Sequence, residues 1–109
     1  MTANPIIRQG DVLLVPITKA PAQLNRAKAE NGRVILAYGE ATGHHHSFAL
    51  HDRIALFRDD AGGSYLTIGG DAPAALEHQE HTALPVEPGV YQVVIQRTFE
   101  AGMARRVAD

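Results

Sequence analysis

The stretch VILAYGEATGHHHSFAL, residues 34–50, decides the reading of the fold. Val34, Leu36 and Tyr38 recur at every second position, the period of an extended strand whose side chains point to alternate faces. Residues 39–43, GEATG, interrupt the run with turn chemistry. The alternation then resumes: His44, His46, Phe48 and Leu50 share one face, and His45, Ser47, Ala49 and His51 share the other. Phe48 and Leu50 mark the core side. Parity therefore turns His44 and His46 inward, leaves His45 to solvent, and places His51 beside Asp52 at the surface.

The same pattern extends in both directions. Downstream, IALFR (54–58), SYLTI (64–68), PAALEH (73–78) and VYQVVIQRTFE (90–100) read as strands. Between them lie turn residues at Asp52, Asp59–Gly63, Gly69–Asp71 and Glu87–Gly89. In the last strand Tyr91, Val93, Ile95 and Phe99 face one way, joined by Arg97, which either snorkels at a rim or pairs with a buried carboxylate. Upstream, QGDVLLVPI (9–17) reads as a strand buried on both faces, with Pro16 marking an end, a bulge or an edge. AQLNRAKAE (22–30), stopped by Asn31-Gly32, is the one candidate helix; its thin apolar face equally suits a solvated loop with one helical turn. The expectation is an all-β single domain over residues 1–109. It would be a small antiparallel barrel or two-sheet sandwich of about seven strands, with at most one short helix near residues 22–30.

Composition narrows the function. A chain of 109 residues suits one domain with one core. A formal net charge of -2 supplies no basic field for a phosphate backbone, so nucleic acid is not an expected partner. Arg97, Arg105 and Arg106 are the only candidates for a basic cluster. Cysteine is absent, which excludes disulfides and thiolate chemistry and restricts any metal to histidine, carboxylate or water ligands. No apolar run approaches the ~20 residues that cross a bilayer, and the N-terminus lacks an apolar signal segment. A soluble, cytoplasmic protein without a membrane partner is expected. The Gly-Gly pairs at 62–63 and 69–70 lack the Lys-Ser/Thr and helix of a phosphate loop, and neither Ser47 nor Ser64 sits in a nucleophile elbow.

Histidine carries the remaining chemistry. Same-face positions on a strand lie ~6.6 Å apart, a span that two imidazoles such as His44 and His46 can close onto one ion. LEHQEH (76–81) offers a second pair, His78 and His81, each preceded by a carboxylate, Glu77 or Glu80. A turn around Gln79 and Glu80 would bring that pair to one side and let all four imidazoles converge. Read this way, His44, His46, His78 and His81 bind a divalent transition metal, with zinc favoured. If only three bind, the open position holds an activated water, with Glu77 or Glu80 as general base; if all four bind, the site is closed and structural. The alternative is a structural, self-assembling subunit whose histidines stabilise the fold or a subunit interface, with or without metal. Short apolar strands such as DVLLVPI must cover their unpaired backbone, which points to a homo-oligomer in either case, although closure within one chain would serve equally well.

Taken in order, QGDVLLVPI, LAYGEATGHHH, LEHQEH, LPVEPGVYQVVIQRTFE and RRVAD resemble a group of small uncharacterised proteins of bacteria and their phages, which implies no particular activity. More distantly, Gly39 to His46 followed by a Pro-Gly turn is similar to the H-x-H strand of the cupin superfamily. That resemblance implies a small β-barrel holding a metal through His44 and His46. The glutamate that follows the cupin pair is replaced here by Phe48, Ala49 and Leu50.

Overall fold

Turns cut the chain into twelve strands, with no helix among the described residues. The computed structural model describes residues 4–39, 43–100 and 103–106, with side chains described as far as Gln96. In chain order the strands are β1 (Ile7–Gln9), β2 (Val12–Ile17), β3 (Asn25–Arg26), β4 (Arg33–Tyr38), β5 (His45–Ala49) and β6 (Ile54–Arg58). They continue with β7 (Ser64–Ile68), β8 (Ala74–Leu76), β9 (Leu84–Val86), β10 (Gly89–Ile95), β11 (Arg97–Glu100) and β12 (Met103–Arg106). All ladders are antiparallel. Six strands form one sheet in the order β1-β2-β10-β7-β6-β3, while β4–β5, β8–β9 and β11–β12 are separate two-stranded ladders.

Two turns show how local chemistry sets the register. Gln9 pairs with Val12, so Gly10 and Asp11 are the whole loop between β1 and β2, and Gly10 takes φ 58°. A two-residue hairpin needs a left-handed residue there, which glycine supplies without a Cβ clash. The second turn corrects the helix expected near residues 22–30. Asn31 and Gly32 adopt φ 50° and 73°, and Glu30 and Arg33 exchange both backbone hydrogen bonds at 2.9 Å. Asn-Gly is therefore a hairpin turn rather than a helix stop, and the preceding stretch contributes the two-residue β3 to the edge beyond β6. Its alanines and lysine had no continuous apolar face to bury, so helix propensity alone did not prevail.

The core gathers Val12 and Leu14 of β2, Ile54 and Leu56 of β6, Leu66 and Ile68 of β7, and Tyr91 and Val93 of β10. Val34 and Leu36 of β4, Phe48 of β5, Leu76 of β8 and Val86 of β9 join the same cluster. Strand β2 alternates buried with half-buried residues and is not enclosed on both faces as expected. Pro16 pairs only with Tyr91 of β10, because β1 reaches no further than Leu14; its missing N–H thus sits at a local edge. Two further expectations fail. Among the described residues the strands number twelve rather than about seven, because several are only two or three residues long. Among the described residues the ladders form four sheets and do not close into a barrel. Arg97, Arg105 and Arg106 lie on β11 and β12, and their side chains, like that of Phe99, fall outside the described set.

The β5 and β8 ladders are stitched together by one bridge. Ser47 N–H donates to Glu77 O at 3.0 Å and Glu77 N–H donates to Ser47 O at 2.8 Å. This bridge carries the HHH segment to the EHQEH segment.

Candidate functional site

His44 precedes β5, and His46 is its second residue, buried beside Phe48. Leu50 departs from the expected parity: the strand ends at Ala49, and Leu50 is 56% exposed. After β8 the chain bends at residues 79–81, and this bend turns His78 and His81 to the same side. The four rings come together: His46 and His78 have centroids 4.3 Å apart, His78 and His81 4.7 Å, His44 and His78 5.6 Å, and His46 and His81 6.0 Å.

The metal-binding reading does not survive this geometry. Among the described residues, no group of three or more histidine, cysteine, aspartate or glutamate side chains is placed to hold a metal ion. Ring nitrogens of His44, His46 and His78 meet protein groups, whereas His81 Nε2 is buried with no hydrogen-bond partner among the described residues. Gln9 Nε2 donates to Leu76 O at 3.0 Å and Thr82 O at 3.1 Å, so Gln9 Oε1 is the acceptor toward His46, and His46 Nδ1–H donates to it at 2.9 Å. The other nitrogen, His46 Nε2, lies 3.5 Å from Asp11 Oδ1, both side chains being wholly buried. His44 Nδ1 pairs with Glu80 Oε2 at 2.7 Å. Glu80 N–H donates to His78 Nδ1 at 3.0 Å, which folds the bend back on itself.

A second polar network runs along the opposite face of β5. His45 is half-buried here, not a solvent residue. Its backbone N–H donates to Gln79 Oε1 at 2.8 Å, which leaves the Gln79 amide nitrogen facing His45 Nε2 at 3.3 Å. His45 Nε2 is then the acceptor, its proton sits on Nδ1, and Nδ1–H donates to Ser47 Oγ at 2.9 Å. Arg33 Nε–H donates to the same oxygen at 2.7 Å, and Arg33 Nη2 reaches Glu77 Oε1 at 2.6 Å. Both lone pairs of the Ser47 hydroxyl are occupied by donors, so this buried oxygen is a structural anchor and a poor nucleophile. Of the expected general bases, Glu77 is ion-paired with Arg33, and Glu80 Oε2 lies 2.7 Å from His44 Nδ1.

Gln9, Asp11 and Arg33 were missed as site residues. Gln9 and Asp11 flank the Gly10 turn in QGD, where polar residues read as ordinary hairpin chemistry, and nothing in their spacing points toward residues 46, 76 or 82. His51 is exposed and accepts the Arg53 N–H at 3.2 Å, a local turn contact. Two tyrosines complete the titratable picture. Tyr38 O–H donates to Glu30 Oε1 at 2.6 Å, and that bond holds its pKa above the ordinary tyrosine value. Burial pushes Tyr91 upward, although Asn4 donates to its hydroxyl oxygen at 3.0 Å and opposes the shift.

No curated protein and no solved structure matches the chain. A family model follows the fold in extent, running from β1 to the end of β10: over residues 8–96 the chain fits the family described as a domain of unknown function, DUF8820, and it belongs to that family.

Proposed function

We propose that this protein is a structural, self-associating β subunit, a two-layer sandwich acting in the cytoplasm, whose histidines brace the fold without a metal. The observation that carries this reading is His46. Its ring is wholly buried, and its two nitrogens meet Gln9 and Asp11 from the β1–β2 hairpin while Gln9 also holds Leu76 and Thr82. One imidazole thus links the large sheet to both flanking hairpins. Buried polar groups of this kind specify one arrangement of layers, because any other leaves donors and acceptors unmatched.

Association is supported by the surface. In the large sheet, β1 and β3 have a ladder partner on one side only. Ile6, next to β1, is 59% exposed, and Leu50, at the end of β5, is 56% exposed. Exposed strand edges with apolar flanks are templates for pairing with another copy. No helix among the described residues is long and apolar enough to cross a membrane.

The test combines three measurements on protein purified without a nickel column. Elemental analysis is expected to find no stoichiometric transition metal, and chelator is expected to leave the melting temperature unchanged. Sedimentation velocity is expected to show a discrete oligomer that Leu50→Lys or Ile6→Lys weakens. Stoichiometric metal whose removal unfolds the protein would overturn the brace, and a monomer at high concentration would overturn self-association.

A further inference from the structure

A cleft of ≈ 290 Å³ opens beside the brace, lined by Arg33, His45, Ser47, Glu77, His78 and Gln79. Every one of these side chains can form hydrogen bonds, and the Arg33 guanidinium offsets the Glu77 carboxylate. The cleft is therefore strongly polar yet balanced in charge, a poor match for a multiply charged ligand and a good one for a neutral ligand rich in hydroxyls. Arg33 uses Nε and Nη2 in its contacts with Ser47 and Glu77, so Nη1 brings two further donors. Glu77 uses Oε1 toward Arg33, and Oε2 is a second acceptor on the same planar group.

An aromatic ring stands beside His45 at the rim, outside the residues that line the cleft. Tyr38 is the cross-strand partner of His45, its ring centroid is 6.3 Å from that of His45 with an interplanar angle of 83°, and it is 51% exposed. Its hydroxyl donates to Glu30 Oε1 at 2.6 Å, which ties the ring to the neighbouring turn. An exposed tyrosine beside planar donors and acceptors supplies two complementary surfaces, one for C–H groups and one for hydroxyls. The core has no use for it, since Tyr38 lies outside the buried cluster.

We propose that this cleft binds a single sugar ring, with Arg33, Glu77 and Gln79 reading its hydroxyls and Tyr38 packing on its apolar face. At ≈ 290 Å³ the cleft falls just below the roughly 300 Å³ at which ordinary ligand pockets begin, and suits one ring rather than a chain. With few partners and an open mouth, affinity near about 1 mM is expected. The inference goes beyond the structural role and does not rest on it.

Amide chemical shifts of the full chain, followed during titration with methyl α-glucoside, methyl β-galactoside and N-acetylglucosamine, test the proposal. Saturable shifts at Arg33, His45, Glu77 and Gln79 are expected with at least one of the three. Tyr38→Ala and Glu77→Gln are each expected to weaken that binding about tenfold, while the melting temperature shows both variants folded. Any of three results overturns the proposal: no saturable shift with any of the sugars, affinity unchanged in either folded variant, or the same shifts produced by sodium acetate alone.

Discussion

His46 replaced by alanine removes the group that meets both Gln9 and Asp11 and opens a void next to Phe48. Loss of a buried hydrogen-bonding ring in this setting costs about 2–4 kcal/mol, from lost packing together with polar groups stripped of a partner. Urea unfolding of His46→Ala should show that loss as a lowered midpoint, whereas His51→Ala, at an exposed turn, should change stability by less than about 0.5 kcal/mol. Tyr91 makes a pH-dependent contribution whose sign is set by burial. Its folded pKa is raised, so the neutral phenol is favoured in the native state. That stability is fully present below the unfolded value of 10.0 and is lost as pH rises through the folded one. Thermal melts on the alkaline side should show the decline, and Tyr91→Phe should flatten it. The parity of residues 44–48 was legible in the sequence because side-chain alternation is a local property. The partners of His46 were not, because Gln9 lies 37 positions away and only the β1–β2 turn aims it.

At the scale of elements, the Asn31-Gly32 turn makes a clean case. A Cβ at Gly32 meets nothing within 4 Å, so any cost of Gly32→Ala comes from its φ of 73° and not from a clash. A left-handed alanine costs roughly 1–2 kcal/mol, and denaturant unfolding should report a loss of that size. Restoring the midpoint by Gly32→Asn, which tolerates the left-handed region better, would confirm that backbone strain is responsible. The strands were largely readable from their period of two and their turn residues. Residues 22–30 were misread because alanine, lysine and glutamate carry high helix propensity. In this chain the segment forms the short β3 and leads into a hairpin, where pairing with β6 outweighs propensity. Leu50 was misread for a related reason: alternation assigns a face only while the strand lasts, and β5 ends one residue earlier.

For the whole molecule, the brace predicts how the layers unfold. His46 connects the β1–β2 hairpin of the large sheet with the segments around Leu76 and Thr82, so the layers should lose structure together. Far-ultraviolet circular dichroism and tyrosine fluorescence should therefore give coincident urea transitions in the native protein. In His46→Ala the two probes should separate, as β4–β5 and β8–β9 loosen before the six-stranded sheet; transitions that stay coincident would mean that apolar packing alone couples the layers.

Composition and local pattern were enough to determine an antiparallel, cysteine-free β fold whose inward face carries His46 beside Phe48, because alternation, turn chemistry and the absence of a thiol belong to neighbouring residues. Only the tertiary structure decided what the histidines do. Whether a ring nitrogen faces an ion or a protein oxygen depends on groups brought from distant strands, and here Gln9 and Asp11 take those positions at His46 and Glu80 at His44. The sequence contains those residues but not the distances between them.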